Sequence, residues 1–144
     1  MDGTILDSEK LWDVAVYELA EHLGKVMTRP LRRSLIGSSA QRTLATLFQA
    51  WELDPTPEAL ARVQRRIDDR VAELYAAPIP WRPGAKDALG MVRAAGPRTA
   101  LVTNTKRVLA EYGLDTIGRE YFDASVCGDE VPHGKPAPDV YLLS

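Results

Sequence analysis

Polar side chains that could hold a small ligand occur at three places in the 144-residue chain. An acidic turn, Asp2-Gly3-Thr4, begins at the second residue. Thr103 and Asn104 follow the apolar letters of the stretch RTALVTNT, and Lys135 stands further on between a glycine and a proline. A carboxylate, a hydroxyl with an amide, and an ammonium group can bind a polar ligand if the fold brings them together.

The second half of the chain has the pattern of an α/β fold. RTALVTNT and FDASVCG are typical of short buried strands, and helices are predicted over Ala85–Ala95, over Lys106–Tyr112 and after Pro138. Alternating strands and helices of this length favour a parallel sheet. Ligands gather at the carboxyl ends of parallel strands, where Thr103 and Asn104 would lie. The Asp2 turn would share this edge if a strand preceded it.

The first half is predicted to be helical. Four helices are expected, of which the first ends at Gly24 and the second at Gly37. The fourth has one buried stripe and a charged run, 65–70, that we expect to be solvated. The proline-rich stretch APIPWRPGA then breaks the pattern. The N-caps expected for the four helices, in order, are Ser8, Thr28, Ser38 or Ser39, and Thr56. The stripe on the fourth helix consists of Leu60, Val63, Ile67, Val71 and Leu74.

Composition excludes several classes of protein. The chain is 45% hydrophobic and 26% charged with a formal net charge of -2, which gives no basic footprint for nucleic acid or an anionic membrane. No apolar run approaches the ~20 residues that span a bilayer. Cys127 is the only cysteine, so no internal disulfide can form, and a reducing, cytoplasmic location is expected.

Three stretches in order, MDGTILDSE, ALVTNTKR and GDEVPHGKPAPDVYL, closely resemble the haloacid dehalogenase superfamily of aspartate-nucleophile phosphotransferases. The nearest branch is the helical-cap group of phosphoglycolate phosphatase-like and β-phosphoglucomutase-like enzymes. Each motif alone is weak, but their order, their spacing and the helical insertion make the resemblance specific, and it covers the whole chain. It implies an α/β fold with a Rossmann-like parallel sheet core over 1–9 and 78–144, incomplete here, and a four-helix cap over 10–77.

The resemblance also suggests that the chain is a fragment. The first motif of the family reads D-x-D-G-T, and Met1 falls on its x, so the nucleophilic aspartate would directly precede Met1. The fourth motif of the family, an acidic pair that helps to hold the metal, would lie beyond Ser144. We therefore expect the 144-residue polypeptide alone to be inactive. A naturally short protein that begins at Met1 is the alternative.

For an active enzyme, the resemblance implies Mg²⁺-dependent hydrolysis of a small phosphorylated metabolite through an aspartyl-phosphate. Asp2 would act as general acid and base, and its backbone carbonyl would bind Mg²⁺. The hydroxyl of Thr103, the backbone N–H of Asn104 and the ammonium of Lys135 would bind the phosphoryl group. Structural alternatives are an Asx-turn for Asp2, a helix N-cap for Thr103 and a solvated side chain for Lys135. His133 and Asp129 are expected to serve loop structure.

Substrate selection is predicted to lie in the cap loop, with Ser38, Ser39 and Arg42 as the candidate residues. A sugar-phosphate mutase of the same branch is the closest rival, although Ala40 stands where its cap arginine is expected. A dehalogenase is disfavoured, because those enzymes do not need a second acid at the position of Asp2. A binding or structural fragment without turnover is the remaining alternative. The sequence does not identify the metabolite or the oligomeric state.

Overall fold

The computed structural model describes residues 1–144, and the chain folds into seven α-helices and two short β-strands. A single turn of 3₁₀ helix follows the sixth helix at Arg119–Tyr121. In chain order the elements are α1 (Glu9–His22), α2 (Arg29–Leu35), α3 (Ala40–Ala50), α4 (Pro57–Tyr75), α5 (Ala85–Ala95), β1 (Ala100–Val102), α6 (Arg107–Ile117), β2 (Ala124–Val126) and α7 (Asp139–Leu142).

The four helices predicted for the first half are all present. Hydroxyl caps hold three of their amino ends, because Thr28, Ser39 and Thr56 each accept a hydrogen bond from a backbone N–H in the first turn. On α4 the predicted stripe is buried at Val63, Ile67 and Val71 and partly buried at its two ends. The stripe packs α4 against α1 and α3, and α2 packs against α3.

The two strands pair in parallel. Ala100 lies opposite Ala124 and Val102 opposite Val126, and the N–H of Thr103 extends the ladder by donating to the carbonyl of Val126 over 3.0 Å. The predicted α/β architecture is therefore confirmed as a mostly helical chain with a short parallel sheet, incomplete at two strands. Helix α6 connects β1 to β2, and α4 packs against it.

The segments on either side of the first four helices run side by side. The N–H of Asp7 donates to the carbonyl of Pro80 over 2.7 Å, and the N–H of Arg82 donates to the carbonyl of Ile5 over 2.8 Å. These bonds tie the entrance of α1 to the exit of α4. They bring the acidic turn at Asp2 next to the chain that leads into α5. The division into a core and a cap at these points stays a prediction.

Buried apolar residues from both halves form one continuous core. Leu19, Leu47 and Val71 of the helical half, which comprises α1 to α4, belong to the same cluster as Leu101 and Leu109 of the sheet half, which comprises the residues before α1 and after α4. The helical half is therefore anchored on the sheet half through shared packing. No helix combines the length and the apolar character required to cross a membrane.

Two local predictions need correction. Ser8 occupies the N-cap position of α1 without capping it, since its backbone is helical (φ -86°, ψ -14°) and not extended, and its hydroxyl donates to Asp2. Helix α6 begins after Lys106 and continues to Ile117, past the predicted end at Tyr112. Gly113 lies inside this helix and contacts the side chain of Met1, so that an added Cβ would lie 2.4 Å from the Met1 sulfur.

Truncating the shared core should destabilise the protein. Leu47 is fully buried, so Leu47→Ala removes apolar contacts and leaves a cavity that costs about 2–5 kcal/mol. Gln49→Ala on the same helix is the matched control, because an exposed substitution usually changes stability by less than ~0.5 kcal/mol. Urea unfolding of both variants measures the difference, and equal midpoints would mean that Leu47 does not belong to the core.

Candidate active site

A cavity of about 210 Å³ lies between the helical half and the sheet half. This volume is below the ~300–1,000 Å³ of pockets for drug-sized ligands and suits a small metabolite. Three of its ionisable residues, Asp2, Lys106 and Lys135, come from the sheet half, and three, Glu9, Arg32 and Asp68, come from the helices. Its remaining polar lining consists of Thr4, Gly37, Ser38, Thr43, Gln64, Thr103, Asn104 and Thr105.

The carboxylate of Asp2 accepts three hydroxyl hydrogen bonds. Ser8 Oγ and Tyr75 Oη donate to Oδ1, and Thr105 Oγ1 donates to Oδ2, each over 2.7 Å. Burial raises the pKa of the Asp2 carboxyl, but these donors stabilise the charged form and outweigh burial, so the net pKa lies below its ordinary value. Asp2 is therefore ionised at neutral pH in this arrangement and can accept a proton.

Two glycines shape the backbone near the cavity. Gly3 has a positive φ of 66°, which a glycine adopts without strain, and it turns the chain back so that its N–H donates to Leu6. Gly128 follows β2, and a Cβ there would lie 2.4 Å from the carbonyl oxygen of Asn104. The ends of β1 and β2 can approach this closely only with glycine at 128.

Asn104 holds together the polar residues after β1 and the loop that carries Lys135. Its Oδ1 accepts from the N–H of Lys135 over 2.6 Å, and its Nδ2 donates to the carbonyl of Lys135 over 3.2 Å. The same Nδ2 also donates to the carbonyl of Gly37 over 3.1 Å. The backbone N–H of Asn104 makes no hydrogen bond within the chain, so it is free to donate to a ligand.

Thr103 is buried at the end of β1 and lines the cavity. Its predicted role as an N-cap of the next helix is wrong, because Lys106 takes the cap position without a side-chain cap. The Thr103 hydroxyl instead accepts from the N–H of Thr105 over 3.2 Å. This bond shapes the turn from which Thr105 donates to Asp2.

The ammonium of Lys135 is half-buried at the cavity. Its Nζ donates to the carbonyl of Val102 over 2.7 Å and lies 5.2 Å from the ring centre of Tyr141. One carbonyl uses one of the three ammonium hydrogens, and others can reach an anion. The alternative of a freely solvated Lys135 does not describe this side chain.

The loop between α2 and α3 lies over the cavity, and its predicted selector residues differ in position. Ser38 lines the cavity, with its hydroxyl donating to Leu35 and 2.6 Å from Thr43 Oγ1. Ser39 lies outside the lining and caps α3. Arg42 is exposed and outside the cavity lining, and its role as a selector stays a prediction.

The structure adds two charged clusters that sequence reasoning missed. Arg32 on α2 pairs with Glu9 and Asp13 on α1. Asp68 on α4 accepts from Lys106 at the start of α6, with 2.5 Å between Oδ2 and Nζ. Asp68 therefore departs from the solvated face predicted for its charged run. The one available signal was helical periodicity, because Asp68 stands three residues before the buried Val71 and therefore flanks the stripe.

The other candidate residues lie apart from the cavity. His133 Nδ1 is 3.0 Å from a carboxylate oxygen of Asp139, and Asp129 accepts from the N–H of Arg107 in the first turn of α6. Both contacts serve loop and helix-end structure, as expected. Cys127 is buried after β2, where loss of water contact raises the pKa of its thiol to about 11.

The residues present do not by themselves make a metal site. No group of three or more histidine, cysteine or carboxylate side chains lies close enough to share an ion. All three contacts of the Asp2 carboxylate are hydroxyl donors, whereas its backbone carbonyl accepts no hydrogen bond within the chain. That carbonyl is one oxygen ligand of the kind Mg²⁺ prefers, and residues 1–144 supply no set to complete it.

Comparison with known proteins identifies the family. A model of haloacid dehalogenase-like hydrolases matches residues 1–143, so the chain belongs to this family, as its motifs predicted. The chain is 33% identical to a phosphorylated carbohydrates phosphatase of Thermotoga maritima over 144 residues, 99% of this chain and 65% of that protein. It is 34% identical over 146 residues to the fructose-1-phosphate phosphatase YqaB of Escherichia coli, covering 99% of the chain and 74% of that protein.

A solved structure supports the fold. The crystal structure of CbbY from Rhodobacter sphaeroides in complex with phosphate matches with a TM-score of 0.81 and 30% identity, over 99% of this chain and 67% of that one. The α/β fold predicted from the three motifs is therefore confirmed. The chain spans about two thirds of the length of these relatives, 65% in the Thermotoga protein.

Removing one donor from Asp2 should raise the pKa of its carboxyl. Tyr75→Phe deletes a hydroxyl that stabilises the carboxylate, so the pKa should move up from its lowered position toward or beyond its ordinary value. A ¹³C carboxyl titration by NMR measures the shift. Tyr112→Phe is the control, since the Tyr112 hydroxyl makes no hydrogen bond. An unchanged Asp2 pKa in Tyr75→Phe would show that this contact is absent in solution.

Proposed function

We propose that this chain is part of a phosphatase that hydrolyses a small phosphorylated metabolite through an aspartyl-phosphate. The observation that supports it most strongly is convergence on one cavity. The Asp2 carboxylate, the free N–H of Asn104 and the ammonium of Lys135 come from three separate motifs and line the same space. A proton acceptor beside two anion-binding donors suits phosphoryl transfer.

In the proposed reaction, the aspartate expected before Met1 attacks phosphorus and the bond to the leaving alkoxide breaks. Asp2 then takes a proton from the water that cleaves the acyl phosphate. The ionised Asp2 carboxylate suits this second step of the reaction. In the first step, Asp2 must be protonated before it can deliver a proton to the alkoxide. Replacing one of its hydroxyl contacts by a contact with the substrate would favour the protonated carboxyl. Acid–base help of this kind contributes about 10²–10⁴-fold.

Phosphoryl oxygens need donors that are in place before the reaction. The N–H of Asn104 is held by the two side-chain bonds of the same residue to the Lys135 backbone, so N–H and ammonium share one rigid unit. Positioned donors of this kind need no reorganisation when charge develops. When bound, Mg²⁺ would add positive charge next to the phosphoryl group, and the Asp2 carbonyl is the residue atom we assign to it.

The helical half would act as a cap that excludes water from the reaction. The Asn104 amide bonds to Gly37, and the Lys106–Asp68 pair also joins the two halves beside the cavity. Opening the cap would break both contacts. Closing it would remake them around a bound substrate. The two adjacent segments that connect the halves, near Asp7 and near Pro80, would serve as the hinge.

A phosphomutase is the second candidate, and one residue favours the phosphatase. Ala40 lines the cavity at the position where a mutase of this branch is expected to carry an arginine. Its methyl group cannot bind a second phosphate. The names of the relatives, a phosphorylated carbohydrates phosphatase and a fructose-1-phosphate phosphatase, agree with a phosphorylated sugar or sugar-like metabolite as substrate.

Activity should depend on magnesium. We expect the protein that contains this chain together with the preceding aspartate to hydrolyse an aryl phosphate with Mg²⁺, and to lose turnover in excess chelator because phosphoryl charge is then left uncompensated. Release of inorganic phosphate measures both states. The polypeptide 1–144 alone, without that aspartate, is the control and should show no turnover. Undiminished rates in chelator would exclude the mechanism.

Lys135 should contribute to the rate. Lys135→Ala removes a fixed cation near the phosphoryl position, and loss of one such contact costs about 10²–10³-fold in kcat/KM on any substrate. Lys10→Ala is the control, because Lys10 is exposed and pairs only with Asp7. Steady-state kinetics of the active protein tests both, with circular dichroism to show that the fold is intact. A normal rate for Lys135→Ala would assign Lys135 to loop structure.

A further inference from the structure

A guanidinium group that the proposed chemistry does not use is buried in the wall of the cavity. Arg32 on α2 is 7% exposed. Its Nε donates to Asp13 Oδ1 over 2.5 Å, and its Nη2 donates to Glu9 Oε2 over 2.9 Å and to the Glu9 carbonyl over 3.3 Å. Two carboxylates on α1 therefore fix the plane of the guanidinium, which leaves its orientation independent of any ligand.

One donor and one acceptor of this pair remain free. Arg32 Nη1 makes no hydrogen bond, and no fully buried side-chain nitrogen or oxygen in the structure lacks a partner, so Nη1 is accessible. Arg32 lines the cavity, where a ligand can meet this nitrogen. Glu9 Oε1 also has no donor, and it would lie 3.6 Å from a Cβ built on Gly3. The free acceptor is therefore beside the turn that carries Asp2.

Stability does not account for this arrangement. Replacing a buried ion pair or triad by apolar residues is often neutral or stabilising, since desolvation offsets much of the attraction. An apolar side chain at position 32 would thus stabilise the fold about as well as Arg32 does. A rigid guanidinium with a free edge toward a cavity is the kind of group that recognises a polar ligand.

The charge of the cluster indicates which ligand it recognises. Two carboxylates and one guanidinium give a formal charge of -1, so a second anionic group on the substrate meets net repulsion. A hydroxyl group can accept from Arg32 Nη1, and a hydroxyl can donate to Glu9 Oε1. A hydroxylated carbon chain satisfies both free atoms at once.

We propose that Glu9 and Arg32 form the specificity site for the non-phosphate end of the substrate. They select an uncharged, hydroxyl-bearing group over a second anion. This inference rests on the proposed phosphatase function, and it replaces Arg42 of the cap loop as the charged selector. Asp13, which lies outside the cavity lining, acts as a positioning residue that holds the guanidinium.

The test compares three phosphomonoesters in the active protein: an open-chain polyol phosphate, a phosphorylated hydroxy acid with a free carboxylate, and an aryl phosphate as reference. Glu9→Gln neutralises the cluster and weakens its acceptor. The kcat/KM ratio of the acid to the polyol phosphate should therefore rise by at least about tenfold, the equivalent of one charge-assisted hydrogen bond. Arg32→Lys should lower kcat/KM for the polyol phosphate more than for the aryl phosphate, because an ammonium lacks the planar fork.

Arg33→Gln is the matched control, since Arg33 is the exposed neighbour on the same helix and makes no side-chain hydrogen bond. It should leave all three rates unchanged. Unchanged ratios in folded Glu9→Gln would overturn the inference, and this variant decides alone if Arg32→Lys does not fold. If the parent turns over no phosphomonoester, the proposed function fails. Calorimetric Kd values for the same compounds then decide the inference, which falls if the polyol phosphate binds no more tightly than the acid.

Discussion

The position of the Asp2 carboxylate depends on hydroxyl groups from three separate segments of the chain. Ser8 lies at the entrance of the helical half, Tyr75 at the end of α4, and Thr105 after β1. A buried carboxylate is costly unless donors satisfy it, so these three segments must meet for Asp2 to remain charged. The same requirement fixes the approach of the helical half to the sheet edge. The cavity, the hydrogen bond from Asn104 to Gly37 and the Lys106–Asp68 pair all lie where these two halves meet.

Much of the framework could be predicted from sequence, because local rules govern it. Caps such as Thr28 and Thr56 act within one turn of helix, and the stripe of α4 repeats at helical spacing. The polar residues after β1 followed from the general rule that ligands bind at the carboxyl ends of parallel strands. Each of these inferences needed only neighbouring residues or the order of elements.

The features that sequence reasoning missed depended on how side chains from separate elements meet. Ser8 has the residue type of an N-cap, but its backbone is helical (φ -86°, ψ -14°) where a capping residue is normally extended, and its hydroxyl is directed to Asp2. Arg42 and Arg32 both stand on helices near the same loop, and sequence alone does not tell which one faces inward. Asp13 and Glu9, on another helix, hold Arg32 at the cavity. No single-sequence pattern encodes that pairing.

The two walls of the cavity carry different charge, one suited to a phosphoryl group and the other to a neutral polar group. On the sheet half, Lys135 and the free N–H of Asn104 present uncompensated donors, which suit a phosphoryl dianion. On the helical half, the one cation of the lining, Arg32, is already paired with Glu9, and the carboxylate of Asp68 pairs with Lys106 of the sheet half. An anion is therefore drawn to one wall and repelled from the other. Under the proposed function, this division of charge would orient a substrate with one phosphate and a neutral polar tail, with its phosphorus beside Asp2 and its tail toward Glu9 and Arg32.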